Sequence, residues 1–200
     1  MISSKQEQLK NLFCETRYLT AKEIRAAGIP SQTITNLCRC GKIERVAYGV
    51  YALAGNAASE TDDLELLAKL VPAGVICLVS ALRFHKLTDE NPHEVSMAVL
   101  HGSYTPKFTY PPVCYFTFSG KAFSSGIKIH TTNGVNLKVY SIEKTIADCF
   151  KYRNKIGLDV AIAALREAVS QNRIDYNALW DAAKICRVSK IIRPYMEAVQ

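Results

Sequence analysis

No run of apolar residues in this chain is long enough to cross a bilayer. The longest, such as Val75 to Val79, fall far short of the roughly 20 residues a spanning helix needs. The opening MISSKQEQLK lacks the apolar core of a secretory signal, so a cytoplasmic protein with no membrane partner is expected. Glycine-rich phosphate loops are also missing: the ten glycines are scattered, with neither G-x-G-x-x-G nor G-K-[ST]. The common nucleotide-binding signatures are thereby excluded. His85, His93, His101 and His130 form no H-E-x-x-H pattern and are expected as partly exposed side chains. Cys38-x-Cys40 has no second pair at metal-ligand spacing, so neither a metal nor a cofactor is expected. The seven cysteines are odd in number and mostly lie within apolar patterns, which reads as reduced thiols and not a disulfide framework.

Charge is the more informative presence. Hydrophobic residues make up 48% and charged residues 22% of the 200-residue chain, ordinary values for a globular protein. The net charge of +7 is uneven: residues 1–54 carry +4, residues 55–140 zero and residues 141–200 +3. An anionic partner would therefore use the two ends.

Local patterns predict two domains. Lys5 to Arg17 places Leu9, Leu12 and Phe13 at helical spacing. Thr20 with Glu23 has capping-box spacing for a short helix over 21–27. Gly28 can end that helix and Pro30 prevents its continuation. Ser31 is expected as the N-cap of a third helix, Gln32 to Cys40, stopped by Gly41. Helix, tight turn, helix is the helix-turn-helix plan. With Ile34, Leu37 and Cys38 inward, Gln32, Asn36 and Arg39 point away and Thr35 flanks them. Asn and Gln suit adenine edges and Arg suits guanine. Ile43–Val46 and Val50–Leu53 then predict a hairpin turned through Ala47-Tyr48-Gly49. Such a wing would bring Lys42, Arg45 and Tyr48 to phosphates or a minor groove. Residues 1–54 thus read as a winged helix-turn-helix, 55–59 (GNAAS) as a linker, and 60–200 as a second domain.

The second domain reads as α+β. A helix capped by Ser59 or Thr61 reaches Val71. Strands are expected over 75–79, 94–100, 113–118, 127–131 and 136–139, with a hairpin turn at Asn133-Gly134 and a short helix over 80–85. Helices follow over 141–152, 158–170, 176–185 and 188–198. The helix over 158–170 is apolar almost all round, as in a core or a subunit interface. Ser141-x-x-Lys144 matches an acyl-transfer pattern, but no companion motif accompanies it and Ser141 is better read as an N-cap. No catalytic residue is assigned. Asp89, Glu90 and Glu94 keep open the alternative of a metal-dependent nuclease targeted by the winged helix. Lys151, Arg153 and Lys155 either favour a helix C-terminus or extend a nucleic-acid surface.

Together the runs LTAKEIRAAGIP, GKIER and GVYAL, SALRFHKLTDENPHEVSMAV, and VYSIEKTIADCFKYRNKIGLDVAIAALREAV resemble the AbiEi-type antitoxins of bacterial type IV toxin–antitoxin systems over nearly the whole chain. The resemblance implies a winged helix that binds double-stranded DNA, at repeats in its own promoter, and represses the operon. It implies a C-terminal domain that counteracts a co-encoded nucleotidyltransferase-like toxin, without implying a stable complex. Carried over, Gln32, Thr35, Asn36 and Arg39 would read DNA, with Lys42 and Arg45 on phosphate; Ser31 and Tyr48 complete the expected DNA-binding set. Ser141, Lys144, Thr145, Asp148, Tyr152 and Arg153 match the C-terminal motif. One departure is Tyr48, where relatives tend to carry a basic residue before the wing glycine. The loss of one phosphate-neutralising charge should lower the salt slope by about 0.9.

Overall fold

A computed structural model describes residues 2–55 and 61–199. Cα packing divides the chain into two units, Met1–Pro72 with His130–Leu137, and Ala73–Ile129 with Lys138–Gln200. The expected linker over 55–59 lies, apart from Gly55, outside the described residues.

In the first unit, α1 (Ile2–Glu15) buries Leu9 and Phe13. Strand β1 (Leu19–Thr20) leads directly into α2 (Ala21–Ala26). The capping box is formed as the spacing predicts: the Thr20 hydroxyl accepts from the Glu23 N–H at 3.2 Å, and the Glu23 carboxylate from the Thr20 N–H at 2.7 Å. Helix α2 ends on Gly28 at φ +77°. The Gly28 N–H donates to the Arg25 carbonyl and the Ile29 N–H to the Ile24 carbonyl. These paired closing bonds define a Schellman motif, and Ile24 and Ile29 both enter the core. Gly41 closes α3 (Ser31–Arg39) by the same pattern, through Cys38 and Leu37.

The expected cap of α3 needs correction. Ser31 is its first helical residue and Pro30 is the N-cap, with no side-chain cap bond. Proline's fixed φ of −66°, with ψ at 149°, turns the chain in one residue earlier. The Pro30 carbonyl then accepts from the Thr33 and Ile34 N–H groups.

Strands β2 (Ile43–Ala47) and β3 (Val50–Leu53) form the wing hairpin, with Ala47 opposite Val50, Arg45 opposite Tyr51 and a bulge between. Tyr48-Gly49 is the turn. β1 adds to the other edge of β3, giving the order β1-β3-β2; a two-residue strand has no periodicity for the sequence to show. Helix α4 (Asp62–Leu70) completes this part of the unit. Its Lys69 pairs with Glu23 at 2.7 Å. Burial raises the Glu23 carboxyl's pKa, but the hydrogen bonds from Lys69 and Thr20 outweigh it and hold the group below its ordinary value. Its contribution is therefore present above the unfolded pKa and lost as pH falls through the folded one. Thr20→Ala should cost about 1 kcal/mol in a urea titration, with a smaller loss at pH values where Glu23 is protonated.

In the second unit the sheet is ordered β6-β5-β4-β8-β7. Its strands are β4 (Val75–Ile76), β5 (Val95–Leu100), β6 (Val113–Phe118), β7 (Ile127–Thr132) and β8 (Val135–Tyr140). The distal residues of the β7–β8 hairpin count with the first unit. β4 runs antiparallel to β5 and parallel to β8, and β5 runs parallel to β6. The strand expected over 75–79 stops at Ile76, and Leu78 and Val79 are buried instead at the start of α5 (Leu78–Phe84). A five-residue apolar run does not distinguish a strand from a buried helical turn. The short α6 (Lys121–Ser124) sits between β6 and β7, and after β8 the chain is helical: α7 (Ile142–Lys151), α8 (Arg153–Ile156), α9 (Leu158–Ser170), α10 (Tyr176–Cys186) and α11 (Ser189–Ala198). α7 is central to this layer, packing against α5, α9, α10 and α11. α9 is less enclosed than its composition implies: it buries Ala161, Ala164, Leu165 and Ala168, while Leu158 is exposed. His85, expected to be partly exposed, is buried, its Nε2 donating to the Tyr140 carbonyl at 2.7 Å. No described helix is long and apolar enough to cross a membrane.

Candidate nucleic-acid interface

Helix α3 is anchored from one side only. Ile34 and Leu37 are buried against Leu9, Phe13 and Ile24, and Cys38 packs beside them. That fixes the rotation of the helix and leaves Ser31, Gln32, Thr35, Asn36 and Arg39 exposed on its other faces. Gln32 Nε2 donates to Asn36 Oδ1 at 3.4 Å, aligning two amides one turn apart. The Thr35 hydroxyl donates back to the Ser31 carbonyl at 3.2 Å. Arg39 lies one turn beyond Thr35 and no ion pair is found for it among the described residues.

The wing holds the remaining candidates. Lys42 and Arg45 are exposed and Tyr48 is 90% exposed at the turn. The Arg45 guanidinium sits 5.0 Å from the centre of the Tyr48 ring, and its Nε donates to the Ala47 carbonyl at 3.4 Å. The two side chains therefore present one cationic, aromatic tip, the ring orienting the guanidinium through cation–π attraction.

Residues 7–54, the helices and wing just described, match the family model for the AbiEi antitoxin transcriptional regulators. The match covers this segment alone, under half of the 200-residue chain. A search of curated proteins gives no match. Among solved structures, the RV2827C protein of Mycobacterium tuberculosis is similar, with a TM-score of 0.53 and 15% identity over 92% of this chain and 75% of that one. At that identity the likeness concerns the fold alone. The match over this segment supports a DNA-binding antitoxin role.

The C-terminal motif resolves into a buried network around α7. The Ser141 hydroxyl caps the helix, accepting from the Lys144 N–H at 3.3 Å. Lys144 and Asp148 form an ion pair one turn apart, with side chains 2% and 0% exposed. The Lys144 ammonium also faces the rings of Tyr140 at 4.2 Å and Phe118 at 4.8 Å. Asp148 accepts from the Cys186 thiol at 3.1 Å. Burial holds the Asp148 carboxyl above its ordinary pKa range, with Lys144 and the Cys186 hydrogen bond partly offsetting it. The Thr145 hydroxyl donates to the Tyr140 carbonyl. Tyr152 donates to the Thr117 carbonyl at 3.2 Å, and burial pushes its phenol up to about 12. Arg153 donates to the Phe150 carbonyl at 3.0 Å. Lys144, Thr145 and Asp148 thus have no surface to offer a partner. Cys186, which no sequence signal joins to this motif, belongs to the same network.

Asp89, Glu90 and Glu94 are exposed, and among the described residues no group of three or more His, Cys, Asp or Glu side chains is arranged to hold a metal ion.

Proposed function

We propose that this protein is a cytoplasmic antitoxin of a type IV toxin–antitoxin system that represses its own operon. In this reading α3 enters the major groove of repeats in the upstream DNA. Gln32, Thr35, Asn36 and Arg39 read base edges there, Ser31 and Lys42 hold phosphate, and the Arg45–Tyr48 tip follows the backbone or an adjacent minor groove. The second unit counteracts a nucleotidyltransferase-like toxin, with the motif from Ser141 to Arg153 keeping its helical layer in shape. The carrying observation is the exposed amide and guanidinium face of α3 beside a cationic wing, within a segment of regulator type.

Fluorescence anisotropy with the protein's own upstream duplex and a scrambled duplex, at two salt concentrations, tests it. Arg39→Ala should weaken binding to the upstream duplex by about 1–3 kcal/mol and erode the preference over the scrambled one. Arg45→Ala should weaken both duplexes alike and reduce the salt slope by about 0.9. Unchanged binding in both variants would remove this face as the interface.

A further inference from the structure

A second cationic site lies wholly within the second unit. A cleft of about 530 Å³ is lined by Ser119–Ala122, which lead into α6, together with Lys151 and Ile185–Arg187. Lys121, Lys151 and Arg187 contribute three positive charges, and no carboxylate is among the lining residues. None of the three cations makes an ion pair among the described residues. Three elements far apart in sequence bring them together: the start of α6, the end of α7 and the turn after α10.

The surroundings hold this arrangement in place. Lys151 Nζ lies over the Phe118 and Tyr152 rings at 5.4 and 5.8 Å. Arg187 is held at φ +61° as the closing residue of α10, its N–H donating to Lys184 and that of Val188 to Ala183. Glycine is the usual residue at such a position because a side chain is strained there. An arginine there places a guanidinium at the rim at a backbone cost. The cleft's Cys186 is no nucleophile: its thiol is committed to Asp148, and burial pushes it up to about 12.

We propose that this cleft binds an oligophosphate, either free or as the tail of a nucleotide. The counter-charge near Lys151 is the buried Asp148, already paired with Lys144. The like charges at the cleft therefore still repel, and a chain of phosphates neutralises several of them at once where a single carboxylate could not. Arginine offers a forked donor to phosphate oxygens and the lysines act as point charges. The volume lies in the range of small-molecule sites. This site is independent of the DNA-reading face.

Isothermal titration of the full chain with inorganic triphosphate, and separately with ATP, at low salt is the test. Saturable binding should weaken roughly 3- to 30-fold in each of Lys121→Gln, Lys151→Gln and Arg187→Asn, by analogy with other partly exposed charge contacts. Asparagine tolerates the left-handed backbone at 187, so that variant keeps its fold. Lys42→Gln and Arg45→Gln should bind triphosphate like the native chain. Equal affinity for the two ligands supports a site for the phosphate chain alone, and tighter ATP binding with the same pattern supports a nucleotide. Absence of saturable binding to either, or affinity that ignores the three cleft substitutions, would overturn the proposal, and binding lost only in the wing variants would assign the anion to the DNA-reading face.

Discussion

Lys144→Met, with Asp148 left in place, is expected to destabilise the protein by about 3–5 kcal/mol, whereas the double variant Lys144→Met, Asp148→Leu should be near native or more stable. Both charges are almost wholly removed from water. Such a pair recovers through mutual attraction much of what desolvation costs, so removing one partner strands the other. The thioether introduced by Lys144→Met would still lie among the Tyr140 and Phe118 rings that now face the ammonium, an environment favourable to sulfur. Burial already raises the Asp148 carboxyl. In Lys144→Met only the Cys186 hydrogen bond and the charge of Lys151 still oppose that shift, so its folded pKa should rise further. A carboxyl with a raised folded pKa favours the fold while protonated, and that advantage is lost as pH rises through the folded pKa. The destabilisation in Lys144→Met should therefore be smallest in acid, where Asp148 is protonated in both proteins, and grow by up to about 1.4 kcal/mol per pH unit until the variant's raised pKa is passed. Urea titrations across that range measure this directly. A pH-independent loss would mean that Asp148 is not the stranded group.

The same variants bear on function. If the double variant is stable and matches the native chain in a growth-rescue assay against the proposed toxin, the charges of the C-terminal motif are architectural. If it is stable but inactive, the buried network acts in its own right. The single variants alone cannot separate these outcomes, because unfolding abolishes rescue either way.

The winged unit was legible because its signals are local. Thr20 with Glu23 is a four-residue pattern whose two hydrogen bonds form within the same turn. Gly28 and Gly41 mark helix ends through a backbone angle that other residues resist. The outward face of α3 follows from the spacing of Ile34 and Leu37. What escaped was set by tertiary neighbours. Strand β1 exists because β3 offers it a ladder, and His85 is buried because the Tyr140 carbonyl receives its ring N–H. The Lys144–Asp148 pair was visible as an i, i+4 spacing, but such pairs usually lie on surfaces. Its burial, and its link to Cys186, depend on α10 packing against α7. The cationic cleft is less legible still, since its three charges lie on segments with no sequence relation to one another.

Gly134→Ala should cost about 2–5 kcal/mol, the sum of a left-handed backbone and an overpacked contact, while Gly49→Ala should cost only about 1–2 kcal/mol. Both glycines turn a hairpin at nearly the same angle, φ +71° and +70°. Around Gly49 nothing lies within 4 Å of an added Cβ. At Gly134 the added carbon would fall 1.7 Å from the Glu15 carbonyl oxygen and 2.8 Å from the Thr16 Cα. Those are backbone atoms, which no rotamer change can move aside. The turn is held there by the Arg17 N–H donating to the Asn133 carbonyl at 3.0 Å, and by Asn133 Nδ2 donating to the buried Glu65 at 2.9 Å. Arg17 is itself fixed by a two-point pair with Asp62, at 2.8 and 2.9 Å. An alanine at 134 must therefore push the turn away from the end of α1 and lengthen the first of these bonds. Urea midpoints compare the two variants, and hydrogen exchange at the Arg17 amide separates the causes. Faster exchange in Gly134→Ala alone is the expected result. Equal losses in the two variants, with Arg17 unaffected in both, would mean that backbone strain is the whole effect and that the turn does not bear on α1.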